Sequence, residues 1–138
     1  MTISEIVNKF KDVCFGHEEV KTFNIGNTWD QATGKGDVYP NVWLELPVLI
    51  NYTIQKNNVK SFTFSFDVLM IPENDNVLEE LNTISKCEVI GDELIASLRL
   101  EKEMSLTTNP TGLSIKNINA DLACGVRYDI VITTGRQC

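Results

Sequence analysis

The run KSFTFSFDVLM, residues 60–70, constrains the fold more than any other stretch of the chain. Phe62, Phe64, Phe66, Val68 and Met70 recur at every second position, with Thr63, Ser65 and Asp67 between them. A strand turns successive side chains to opposite faces, so this run has one wholly apolar face and one polar face. The apolar face requires a cover, and the cover must come from elsewhere in the sequence. A length of 138 residues with 43% hydrophobic content supplies one core, which predicts a single domain over 1–138.

Two segments have the periodicity of covering helices. Thr2 and Glu5 stand at capping-box spacing, and Ile3, Ile6, Val7, Phe10, Val13 and Cys14 follow at intervals of three and four, with Gly16 as the stop. This predicts a helix over about 3–15, with Glu5, Lys9, Lys11 and Asp12 toward water. Pro72 and the turn residues ENDN lead to a longer helix of about six turns that starts near Asn76. Its expected buried side is Val77, Leu81, Ile84, Cys87, Gly91, Leu94, Ile95 and Leu98. A glycine costs about 1 kcal/mol in a helix interior, so Gly91 marks either a close approach to a strand or a kink.

The remaining segments read as strands. Val20 to Ile25 alternates briefly, and NVWLELPVLINYTIQ is β-prone but is interrupted by Pro47, which lacks a ladder donor. Two short strands, about 41–46 and 48–55, are expected there. Asn57-Asn58 then makes a hairpin with the Phe-rich strand. After the long helix comes strand, turn, strand, with Asn109-Pro110 and Gly112 as breakers. The last strand sets Val126, Tyr128, Ile130 and Ile132 against Arg127 and Asp129. The order predicts an α+β fold: a mainly antiparallel sheet of five or six strands with helices on one face.

Charge and cysteine usage narrow the function. Twelve basic and 19 acidic residues give a formal charge of -7, which opposes phosphate-driven binding of nucleic acid. The N-terminus lacks a basic start followed by an apolar run, and no long uncharged stretch follows, so a soluble, unexported protein without membrane contact is expected. Cys14, Cys87, Cys124 and Cys138 include no Cys-x-x-Cys pair and read as reduced thiols, two or three of them buried. His17 is the sole histidine and reads as an exposed cap at the end of the first helix, without partners for a metal site. Glu79-Glu80 and Asp92-Glu93 read as a solvated helix face.

The segment GNTWDQATGKGDVYP, residues 26–40, has a Gly-Lys-Gly like the end of a phosphate loop. Trp29 stands where the first glycine of that motif belongs, and Gly36 follows Lys35 where a hydroxyl is required for magnesium. The motif fails at both places. No nucleophile elbow is present either, so no catalytic residue, metal or cofactor is expected and the protein reads as a non-enzyme. Instead, the segment is a long loop without periodicity, and large apolar residues, Trp29, Tyr39 and Trp43, stand in or beside it. Aromatic residues are favoured where protein surfaces meet, which makes Trp29, Tyr39, Pro40 and Trp43 the subunit-interface candidates. For Trp43 the reading that its ring closes one end of the sheet is equally open.

Taken together, FGHEEVKTFNIGNTWDQATGKGDVYPNVWLELP, FTFSFDVLMIPEND, VLEELNTISKCEVIGDELIASLRL and CGVRYDIVITTGRQC resemble, in order, the small neck and tail-completion ring proteins of tailed phages, especially those of crAss-like and other Bacteroides phages. Tyr39, Pro40, Phe62, Phe64, Asp67, Gly91, Gly125, Arg136 and Cys138 carry the likeness. Val126 stands where those sequences place an aromatic residue. The resemblance implies a fold of the tail-terminator or head-tail-connector type in a closed homo-oligomeric ring of six or twelve copies. It implies portal, neck or tail proteins as partners, assembly in the host cytoplasm, and a place in the virion where DNA passes without specific binding. Two other classes compete: a small-ligand-binding module with Trp29, Tyr39 and Trp43 in an aromatic pocket, and an enzyme using scattered carboxylates.

Overall fold

In a computed structural model, which describes residues 1–33, 38–53, 59–74, 76–106, 108–116 and 121–134, the chain is α+β. The first helix, α1 (Ile3–Phe15), starts where the capping residues place it. Glu5 N donates to Thr2 Oγ1 at 3.3 Å and Thr2 N donates to Glu5 Oε1 at 3.3 Å. Ile6, Phe10 and Cys14 are its buried stripe. Strand β1 (Thr22–Gly26) follows, then a short helix α2 (Thr28–Thr33), then β2 (Asn41–Tyr52) and β3 (Lys60–Met70). The long helix α3 (Val77–Arg99) leads to β4 (Ser105–Leu106), β5 (Thr111–Ile115) and β6 (Cys124–Thr134).

The six strands form one sheet in the order β1-β2-β3-β6-β4, with β5 also paired to β6. All pairs are antiparallel except β1 with β2, which run parallel because the connection between them carries the chain back across the sheet. The Phe-rich run is a central strand, flanked by β2 and β6. Its register pairs Phe64 with Ile130, Phe66 with Tyr128 and Val68 with Val126, so two apolar faces coincide. Helices α1 and α3 cover that face. Phe10 reaches down from α1 to Phe23, Phe64 and Phe66, with ring centroids 5.8, 5.5 and 4.8 Å away, and Phe66 stacks on Tyr128 at 5.1 Å. Each fully buried phenylalanine contributes about 2–3 kcal/mol of hydrophobic stabilisation, and this cluster is the centre of the core.

Two glycines explain themselves by contact. A Cβ at Gly125 would overlap the Val68 carbonyl oxygen on the neighbouring strand, so the β3–β6 pairing admits no side chain there. A Cβ at Gly91 would overlap the Tyr128 hydroxyl and ring, which decides in favour of close approach: α3 lies against β6 at this point. The Tyr128 hydroxyl donates to the Glu88 carbonyl at 3.2 Å and ties helix to sheet.

The structure corrects four expectations. Pro47 does not separate two strands: β2 runs through it, advancing four residues from Glu45 to Leu49 while β3 advances two, from Ser65 to Thr63. The missing donor is absorbed in a bulge. The stretch 26–40 is not uniformly a loop, because Thr28–Thr33 is helical. Asn27 and Asp30 cap it mutually: Asp30 N donates to Asn27 Oδ1 at 2.9 Å and Asn27 N donates to Asp30 Oδ2 at 3.1 Å. On α3 the buried set is Thr83, Cys87, Ile90, Gly91, Leu94 and Leu98, whereas Val77 and Leu81 are exposed. His17 is not an exposed cap. Its Nδ1 accepts from Glu19 N at 3.1 Å and its Nε2 lies 3.0 Å from Glu93 Oε2, so the ring bridges to α3. The Asn57-Asn58 turn, the Gly34-Lys35-Gly36 segment, Arg136 and Cys138 lie outside the described residues.

Candidate subunit interface

The face of the sheet opposite α1 and α3 carries the polar members of the alternation together with buried Trp43 and Leu69, and α2 sits on part of it. Asp67 of β3 stands opposite Arg127 of β6 in the register. Arg127 Nε donates to Asp67 Oδ1 at 2.8 Å and Nη2 donates to Oδ2 at 3.0 Å, a two-pronged pair. Asp67 is 0% exposed. Hydrogen bonding to Asp67, opposed by burial and aided by the nearby Asp67, Glu45 and Asp129 charges, raises the Arg127 pKa above its ordinary value.

Gln31 completes the set. Its amide nitrogen donates to Asp67 Oδ2 and its carbonyl accepts from Arg127 Nη2 at 3.3 Å, so the one buried residue of α2 is held by both members of the ion pair. Thr28 donates to Glu45, whose other oxygen lies 3.5 Å from Arg127 Nη2. A six-residue helix has little stability of its own. Here it is fixed by a polar anchor at Gln31, by its mutual cap and by Thr28.

The fixed helix presents Trp29, which is 73% exposed. Tyr39 is half-buried, and its hydroxyl donates to Asp121 Oδ2 at 2.7 Å. Pro40 is half-buried too, and its carbonyl accepts from Lys21 N at 2.9 Å. Trp43 is 7% exposed and packs with Leu69 and Ala123, against Tyr39 and Ile115, so its ring closes one end of the sheet. The indole nitrogen of Trp43 is buried and has no hydrogen-bond partner among the described residues. The four interface candidates therefore divide: Tyr39, Pro40 and Trp43 are joined to the sheet, and Trp29 alone points outward from α2. Trp29, being exposed, lies outside the buried cluster that holds Tyr39 and Trp43.

Sequence reasoning missed Gln31, Glu45 and the Asp67–Arg127 pair as a unit. A readable signal exists only in part, since Asn27 and Asp30 at capping spacing announce α2. Among the described residues, no three His, Cys, Asp or Glu side chains gather to hold a metal ion, and no helix is long and apolar enough to cross a membrane. Cys14, Cys87 and Cys124 are free and buried. Burial raises the Cys14 thiol pKa, pushes that of Cys87 up to about 12 with a contribution from Cys124, and raises that of Cys124. Glu93 bridges to His17 and Glu80 lies 3.8 Å from Lys116, so two of the four carboxylates read as solvated have partners. No protein-family model matches the chain and no characterised protein matches it in sequence.

Proposed function

We propose that the protein is a structural ring component of a phage neck or tail, assembled from copies of itself around a channel for DNA. One observation carries the reading: a tryptophan held out to solvent by a helix that is itself fastened through a buried ion pair. Tryptophan is enriched at the energetic centres of interfaces, and pre-ordering its support reduces the entropy lost on association. The resemblance in sequence to neck and tail-completion proteins, and a sheet with its two longer helices on one face, agree with it. The charge of -7 per copy gives passing DNA little to adhere to.

A ligand-binding reading has less support, because Tyr39 and Trp43 pack into the sheet while Trp29 is exposed to solvent. The test is negative-stain microscopy of the purified protein, alone and with portal or tail proteins. Annular particles are expected. A species that remains monomeric at high protein concentration and binds none of those partners overturns the proposal.

A further inference from the structure

The sheet ends differently on its two sides. At one end β1 pairs only with β2, and at the other β4 and β5 pair only with β6. Among the described residues, no strand pairs with the outer edges of β1 and β5. Strand β5 reads TGLSI, with no charge and no proline, and Thr111, Gly112, Leu113 and Ser114 are all exposed. An uncharged, exposed edge of this kind is a template for another strand.

The helix layer also ends differently on the two sides. Helix α3 packs on β6, β3 and β4 and leaves β5 uncovered, which opens a groove of about 560 Å³ beside that strand. Ile84, Glu88, Asp92, Ile95 and Arg99 form its helical wall, and Gly112 and Tyr128 lie on the sheet side. At the β1 end the helix layer reaches the edge strand, because α1 packs on β1 through Phe10 and Phe23. On α1, Ile6, Phe10 and Cys14 face the sheet, while Lys9 faces the α3 side, where it pairs with Glu103 at 3.0 Å. With a turn of about 100° per residue, Ser4, Lys11 and Phe15 fall on the opposite flank, toward the β1 edge. Phe15 and Lys11 are exposed there, with the ammonium 5.9 Å from the ring centroid.

We infer that the β5 edge and its groove receive the β1 edge and α1 flank of a second copy. The inference rests on the reading that copies assemble, and it names a further surface they use besides the outward Trp29 of α2. In this arrangement the sheet continues from subunit to subunit, and the second copy's α1 fills the place over β5 that α3 leaves bare. Charge complementarity favours this occupant: Lys11 comes opposite Glu88 and Asp92 of the receiving groove. Each copy has one projecting end and one receiving end, so the contact is heterologous and repeats until it closes.

The test combines charge reversal with hydrogen exchange on the full chain. Lys11→Glu alone, and Glu88→Lys with Asp92→Lys, are each expected to raise the concentration needed for assembly about tenfold or more, and the three together to restore it. All three positions are exposed, so folding is retained and is checked by the monomer's circular dichroism. Exchange of the amides of 22–26 and 111–115 is expected to slow as protein concentration rises. An oligomer that forms with these amides as fast as in the monomer, and that ignores the charge changes, overturns this interface and leaves the ring proposal standing. A chain that never associates overturns both.

Discussion

The two faces of one sheet are held by different physics. On the helix side, Phe62, Phe64, Phe66, Val68 and their β6 partners are buried by bulk apolar contact, which is non-directional and tolerates many packings. On the other side, α2 is held by Gln31 on a two-pronged ion pair, a contact with a narrow allowed geometry. The alternation in a strand therefore does not divide structure from solvent. Here both registers of β3 are structural: one carries the main apolar core, and the other combines the Trp43–Leu69 contact with the ion pair that places a short helix and its tryptophan.

The largest expected effect lies on the apolar side. Phe66→Ala removes a ring in contact with Phe10 and Tyr128 and should cost about 3–5 kcal/mol in urea unfolding. A value below about 1 kcal/mol would show that the core is loosely packed. On the polar side, Arg127→Met leaves Asp67 a buried charge without its partner and should cost about 3 kcal/mol, the low end because the arginine is partly exposed. Adding Asp67→Leu should recover most of that loss in a double-mutant cycle, while α2 amides exchange faster than before. Full protection of α2 in the double variant would break the claim that the ion pair positions it.

A smaller effect returns to the covered face. The Cys87 thiol stays protonated in the fold up to about pH 12, whereas its ordinary value is 9.0. The unfolded chain therefore releases a proton in that window that the folded chain keeps, and stability should fall as pH rises through it. The expected slope is about 1.4 kcal/mol per pH unit for this thiol, read from unfolding midpoints of the protein and of Cys87→Ser. Smallest of all on stability is Trp29→Ser, within about 0.5 kcal/mol, since the ring is exposed. Its assembly, followed by sedimentation, should nevertheless be lost. Assembly at the normal concentration would detach Trp29 from the interface.

Those contrasts also separate what the sequence discloses from what it hides. Helix α1 was legible to its ends because Thr2, Glu5 and a three-four stripe are local signals. The Phe-rich strand was legible for the same reason, and Gly91 announced a close contact that proved to be Tyr128. On α3 the stripe was misjudged at its start, because no described element covers Val77 or Leu81, and periodicity cannot report where a helix outruns its support. The Asp67–Arg127–Gln31 unit was invisible: its members are widely separated in sequence and meet only once β3 and β6 are paired in register. Polar residues in alternation look alike whether they face water or each other.

The pairing of Gly91 with Tyr128 reaches beyond stability. A tyrosine that fills the space beside a bare helix position leaves those two sites unable to drift separately. In lineages descended from this sequence, position 91 can gain a side chain only after position 128 has given up its ring, and the hydroxyl that grips the Glu88 carbonyl goes with it. A matched exchange at these two sites would be an inherited record of how far the long helix has shifted across the strands.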